Sequence, residues 1–394
     1  MTGTRVLDLT NVLAGPYCSY QLALLGAEVI KVEAPGVGDL ARQLGADREL
    51  NAIGLGTSFL AQNAGKKSVV VDLKSDAGKA TFAKLVEEAD VLVENFRPGV
   101  LARLGFPWSR LKQLNPRLVY SAISGFGQTG PMSQRPAYDQ IIQGLSGMMS
   151  ITGTPQTAPL RVGFPICDTI GGLAAAMAIN AALAGRARTG RGCFIDVSML
   201  EAALSAMGWV VSNYLISGHV AEPMGDQNAT AAPSGTFQAA DGPLNIAANR
   251  QEQFVALCQV IGRPDLLDDE RFRDRDARKV NREALNHELN TVLRNRSALE
   301  WEETLSAAGV PAARILTIDQ ALGLEQLAAR GFIAELDMPG GLSRKLRVVG
   351  NGAMFDGRPS VPVLPPPLLG EHNDQLLPDA TGRAAAQADS AAGS

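Results

Sequence analysis

The sequence predicts an α/β protein: a large domain on a parallel sheet, with a second, smaller domain late in the chain. Three observations carry this. A chain of 394 residues can bury a large core and is long for a single domain. Its first half alternates short β-branched runs with helix-like segments. Around Gly225–Gly242 the pattern changes to Gly, Pro, Asn and Ser with short strands.

Taken in order, Val6–Leu9, Val29–Val32, Val69–Leu73, Val91–Val93 and Leu118–Ile123 have the continuous apolar character of strands covered on both faces. Between them lie helical segments such as Tyr17–Leu25 and Lys74–Glu88, the latter opened by Ser75 and Asp76. Strand–helix–strand order implies parallel pairing with helical crossovers. A further strand, Cys193–Val197, follows the turn Gly185–Gly192, and helical blocks follow at Gln251–Ile261, Arg282–Arg294 and Ala298–Ala308. Arg330–Asp356 returns to short strands, and Pro365–Gly370 reads as an extended closing segment. These shifts divide the chain into 1–217 (large domain), 218–329 (small α+β domain) and 330–378 (return to the large domain). The Ala-, Gly- and Ser-rich tail, 379–394, is expected to be disordered. No internal repeat is visible.

The formal net charge of −4, without a long Lys/Arg run, argues against a nucleic-acid partner. No hydrophobic block precedes Arg5–Leu9, so no secretory leader is expected. The apolar run after Asp168 reads as too short and too Gly-interrupted for a membrane span. Cys18, Cys167, Cys193 and Cys258 are scattered, as expected of free thiols in a reducing compartment. The expectation is a cytoplasmic protein with neither nucleic acid nor membrane as partner.

Several chemistries lack their residues. His219, His287 and His372 have no metal-type neighbours, so no metal site is expected. Gly144-Leu-Ser146-Gly147 has the wrong spacing for a nucleophile elbow, and Gly36-Val-Gly38 lacks the third glycine of a dinucleotide fingerprint. One carboxylate stands out instead. Asp168 is the only charged residue from Val162 to Gly185, between Arg161 and Arg186. Gly163-Phe-Pro-Ile-Cys-Asp168-Thr-Ile-Gly-Gly172 reads as a loop feeding an Ala-rich helix, with Asp168 at or near the N-cap. A helix start suits an ionised carboxylate, so a plain capping role and a chemical role both remain open. Cys167 is either a nucleophile or a small packing residue.

Several ordered blocks resemble a known family. They are Val6-Leu-Asp-Leu-Thr10 with Leu13-Ala-Gly-Pro16, Leu25-Gly-Ala-Glu-Val-Ile-Lys-Val-Glu33 with Gly38-Asp39, and Val93-Glu-Asn-Phe-Arg-Pro-Gly99. Ser124-Gly-Phe-Gly-Gln-Thr-Gly-Pro131, Ala137-Tyr138-Asp139, Gly163 to Asp168, Thr189-Gly-Arg-Gly192 with Ile195-Asp-Val-Ser-Met199, and Pro366-Pro-Leu-Leu-Gly-Glu-His372 continue the series. Together they resemble the class III CoA-transferases, a family that includes formyl-CoA transferase, carnitine CoA-transferase and α-methylacyl-CoA racemase. The resemblance implies a Rossmann-like large domain and an interlaced homodimer. It implies an acyl-CoA donor, a small organic acid acceptor, and coenzyme A as substrate rather than a tightly bound cofactor.

In such transferases an aspartate attacks the thioester, forms a mixed anhydride and then carries CoA as an aspartyl thioester. Asp168 stands at the matching position. A carboxylate suits this chemistry because an anhydride conserves the transfer potential that a serine ester would lose. Burial raises an aspartate's pKa and a helix start lowers it; the expectation is that the helix start wins and its N–H groups stabilise oxyanions. By the same resemblance Val12, Lys74, Asn95, Phe96, Arg103 and Met199 contact CoA, and Tyr138 and Asp139 line the cleft near the thioester. Leu13 replaces a catalytic-loop glutamine and Ala34 an arginine of formyl-CoA transferase, which argues against formate or oxalate specificity. The blocks look most like the succinyl-CoA-dependent members, so Arg42, and then Arg97, are candidates for an acceptor's second carboxylate, and a sulfinic acid is a possible isostere. Two alternatives remain. A racemase would use a histidine where Tyr138 stands, and free tyrosine titrates near 10, a poor match to a neutral-pH base. A non-catalytic CoA-binding protein would have no need of Asp168.

Overall fold

The computed structural model describes residues 1–377. The expectation for the tail falls outside these residues. Six strands, β1 (Arg5–Leu9), β2 (Glu28–Glu33), β3 (Lys67–Val70), β4 (Val91–Glu94), β5 (Val119–Ser124) and β6 (Phe194–Ser198), form one sheet in the order β3-β2-β1-β4-β5-β6. Every neighbouring pair is parallel. This is the doubly wound order, which reverses direction between β1 and β4 and opens a crevice at the carboxyl ends of those strands.

The strands alternate side chains between two apolar layers. Val6, Val29, Val91, Val93, Val119 and Ile123 face one core with α1 (Ala14–Leu24). Leu7, Leu9, Ile30, Val32 and Leu92 face the other, with Phe82, Leu85 and Val86 of α2 (Asp76–Glu88). Ser75 caps α2 by accepting from the Gly78 N–H at 3.0 Å. The third strand lies at Lys67–Val70, two residues ahead of the run Val69–Leu73, because Val70 N–H is taken by Asn373 and the chain turns at Asp72–Ser75.

Next come α3 (Asp139–Leu145), α4 (Ile166–Thr189), α5 (Met199–Ala206) and α6 (Trp209–Ser217). At 24 residues α4 is, by length and apolarity alone, long enough to cross a membrane, contrary to the sequence expectation. It packs instead on α1, α5, β5 and β6, burying Cys167, Gly171, Gly172, Ala175, Ala176 and Ile179. The glycines that seemed to interrupt it allow this approach. A Cβ on Gly172 would stand 2.5 Å from the Ala14 carbonyl, and one on Gly171 would stand 3.0 Å from Met199.

Contacts divide the chain into two units. One comprises Met1–Met148, Arg161–His219 and the chain from Glu325; the other comprises Met149–Leu160 and Val220–Leu324. The excursion of Met149–Leu160 into the second unit has no counterpart in the boundaries read from the sequence. The second unit has an antiparallel sheet, β7 (Ser234–Gln238), β8 (Pro243–Ala247) and β9 (Ala312–Arg314). Its core is closed by α7 (Gln251–Val260), α8 (Arg282–Leu293) and α9 (Ala298–Ala307). After Glu325 the first unit regains a hairpin, β10 (Ile333–Asp337) with β11 (Lys345–Val349).

Candidate active site

The loops after β1 and β4 are tied to each other at the switch point. Asn11 N–H donates to Asn95 Oδ1 and Asn95 Nδ2 donates to the Asn11 carbonyl, each at 2.8 Å. Asn95 thus spends its amide on the Asn11 backbone. Between these loops, Tyr138 and the start of α4 lies a cleft of about 180 Å³. Asp168 and Met199 line it together with Val12, Leu13, Phe96, Arg97 and Tyr138. A second cleft of about 190 Å³ runs along the ends of β1 to β3 to Lys74. Asn11 and Phe96 line both, so the two clefts are neighbours, Asp168 lining the first and Lys74 the second.

Asp168 is the third residue of α4, not its cap, because the helix starts at Ile166 after Pro165. The helix-start amides go to another carboxylate. Asp139 Oδ1 accepts from Cys167 N–H at 2.8 Å and from Asp168 N–H at 3.4 Å. Its Oδ2 accepts from Gln143 Nε2 at 2.6 Å, with Arg161 at 3.8 Å. Among the described residues nothing hydrogen-bonds the Asp168 carboxylate. Burial, and then the Asp139 charge, push it up from the ordinary 3.8 to about 7. This reverses the expectation that the helix start would win and that its N–H groups would serve oxyanions. The same burial lifts the Cys167 thiol to about 12, so at neutral pH it is a packing residue.

Other expected positions divide clearly. Asp139 is buried beneath the helix start and does not line the cleft, whereas its neighbour Tyr138 is 74% exposed and does. Arg103 lines neither cleft. Arg42 is 2% exposed and committed: its Nε and Nη2 donate to Glu33 at 2.7 and 2.6 Å, its Nη1 and Nη2 to the Pro367 carbonyl, and it lies over the Phe59 ring. A guanidinium already held bidentately by a carboxylate is not free for a substrate carboxylate. Arg97 is exposed at the cleft without an ion-pair partner among the described residues, and so is Arg135. Sequence reasoning did not single out Arg135 as a cation of the cleft, although it stands two residues before the Ala137-Tyr138-Asp139 block. Asn11 also escaped it, since nothing local marks its pairing with Asn95.

Glu94, just before Asn95, is pushed up to about 7 by burial, while accepting from Phe96 N–H at 2.6 Å and Tyr120 Oη at 2.9 Å. It thereby fixes the turn that presents Phe96 to both clefts.

Residues 1–373 match the family model described as CoA-transferase family III. The acetyl-CoA:oxalate CoA-transferase of Acetobacter aceti is 41% identical over 345 residues, covering 86% of this chain and 87% of that one. The succinyl-CoA:glutarate CoA-transferase of Mus musculus is 36% identical over 377 residues, covering 96% and 85%. A CAIB/BAIF family protein from Brucella suis has a crystal structure similar to this one, with a TM-score of 0.82, 34% identity and 98% coverage of both chains.

Proposed function

The chain belongs to CoA-transferase family III and is an enzyme, and we propose that it moves CoA from an acyl-CoA donor to a short dicarboxylic acid with Asp168 as nucleophile. The observation that carries this reading is Asp168 itself, a carboxylate with no cation or hydrogen bond among the described residues, lining a cleft at the sheet's switch point.

An ionised Asp168 oxygen attacks the thioester carbon, the C–S bond breaks and CoA leaves as the thiolate. The thiolate then attacks the aspartyl carbonyl of the anhydride, the donor acid departs as its carboxylate, and an aspartyl-CoA thioester remains. The acceptor carboxylate runs the same two steps in reverse, so no net proton is consumed. The partial burial that raises the pKa of Asp168 also leaves its anion less solvated and more reactive. The two neighbouring clefts suit an elongated ligand with its thioester end at Asp168, its pantetheine along Val12 and Met199, and its nucleotide by Phe96 and Lys74.

Arg97 and Arg135 are the cations of the cleft to which a second acceptor carboxylate would pair. The departures at Leu13 and Ala34 do not exclude oxalate as that acceptor, since a relative named for oxalate is 41% identical. We also infer a homodimer, interlaced as in this family. Support comes from large apolar side chains left bare on α4 and α6, including Met177 at 72% and Ile216 at 86% exposure. Sedimentation should give twice the chain mass; a monomer at micromolar concentration contradicts it.

The test of function is transfer from acetyl-CoA and succinyl-CoA to a panel of acids. Oxalate, malonate, succinate and glutarate should each outpace propionate and octanoate by tenfold or more. Equal rates with monoacids would remove the role of the arginines. α-Proton exchange into 2-methylacyl-CoA in heavy water, without transfer, would replace the reading by racemisation.

A further inference from the structure

Val12 has a φ of +68°, left-handed backbone that a β-branched residue adopts only when held there. What holds it lies beneath the cleft. Lys31, fully buried on β2, donates to the Thr10 carbonyl at 2.8 Å and lies 2.8 Å from Asp39 Oδ2. Asp39 Oδ1 accepts from Val12 N–H at 3.0 Å and Ala41 N–H at 2.9 Å. Thr10 N–H is taken by Asp8 at 2.9 Å, and Asp8 is backed by Lys66 at 2.9 Å. Asn11 N–H goes to Asn95. Three successive residues are therefore clamped, Thr10 and Val12 by buried charged groups and Asn11 by the half-buried Asn95, and the last two line the cleft with Asp168.

We propose that Asp39, aligned by Lys31, is a positioning residue for acyl transfer: the pair staples both sides of Asn11, holds Val12 in its left-handed conformation and so sets one wall of the cleft that contains Asp168. This rests on the reading of that cleft as the acyl-transfer site. Neither residue lines the cleft that contains Asp168, although Asp39 lines its neighbour; toward Asp168 each acts through the loop. Ordinary packing would not need a charged pair here, because an unstrained loop would stay in place without one.

The test is the double variant Asp39→Ala/Lys31→Met, which removes both charges together; Asp8 loses Lys31 at 3.8 Å but keeps Lys66 at 2.9 Å. Two readouts are taken: hydrogen exchange of the segment 10–15, and the single-turnover rate of acylation of Asp168 by acyl-CoA. Exchange should quicken at least tenfold and acylation at saturating acyl-CoA slow at least tenfold. Adding Val12→Asn, a residue type that accepts left-handed backbone, should restore a third or more of the lost rate. Acylation within twofold of wild type, or a slow rate that Val12→Asn leaves untouched, would overturn the proposal. Should the double variant not fold, Asp39→Asn keeps the acceptor's shape but weakens it, and acylation should slow threefold or more; an unchanged rate overturns the proposal equally. Exchange needs no chemistry, so a wild type that never acylates while exchange responds refutes the acyl-transfer reading and not the staple.

Discussion

Asp8 is fully buried and Asp168 partly buried in the same unit, yet their carboxyls are displaced in opposite directions. Burial alone would raise Asp8, but Lys31, Lys66, Ser19 and Thr10 surround it and hold it well below the usual carboxylate range. Asp168 has no such partners; burial and Asp139 lift it to about 7. Around Asp8 the penalties fall on the lysines as well, and Lys66 is pushed down to about 8 by burial. The difference is one of matching. Where charge serves the fold, each ion has a counter-ion and hydrogen bonds. Where it serves chemistry, as proposed for Asp168, an anion is left poorly solvated, so its reactivity is not spent on a neighbour.

The comparison breaks most sharply at Asp168. Asp168→Ala should lower transfer by about a thousandfold or more while leaving CoA affinity within about threefold, read by calorimetry. Retained transfer would move the nucleophile elsewhere. At the matched site the loss should appear as stability instead. Asp8→Asn leaves Lys66 without its carboxylate and Lys31 with Asp39 alone, and should cost about 3–5 kcal/mol, measured by denaturant unfolding.

The pH dependence sharpens the contrast. Attack needs the anion, so with Asp168 at about 7 the acylation rate should fall roughly tenfold for each pH unit below that value. Asp139→Asn retains an acceptor for the α4 amides but removes the like charge, so the acidic limb should shift downward by up to about one unit. The smallest effect concerns stability. Folded Asp168 holds its proton up to about 7 and the unfolded chain loses it near 3.8, so the group's contribution falls as pH rises through that window. Asp168→Asn should therefore raise Tm at pH 8 and change it little at pH 4, measured by calorimetry.

Much of the frame was legible from local pattern. Continuous β-branched runs marked five crossover-linked strands, and Ser75 announced the start of α2. Asp168 was visible because a lone charge in an apolar stretch is conspicuous. The remainder depended on contacts distant in sequence. That Asp139 takes the amides at residues 167 and 168 depends on the meeting of α3 and α4, so its effect on Asp168 could not be read locally. Arg42 looked like a free cation because its partners, Glu33, Phe59 and Pro367, converge only in the fold. Nothing in a valine's identity predicts left-handed backbone; the groups that impose it on Val12 come from β2 and the segment after it.

The most direct measurement is intact-protein mass, followed by peptide mapping, after brief mixing with succinyl-CoA or acetyl-CoA without acceptor, for wild type and Asp168→Asn at pH 8 and pH 6. Wild type should carry an acyl or CoA adduct on the peptide containing Asp168, formed more slowly at pH 6, and the variant should carry none. An adduct of equal yield on the variant, or one mapped to another residue, would contradict Asp168 as the nucleophile.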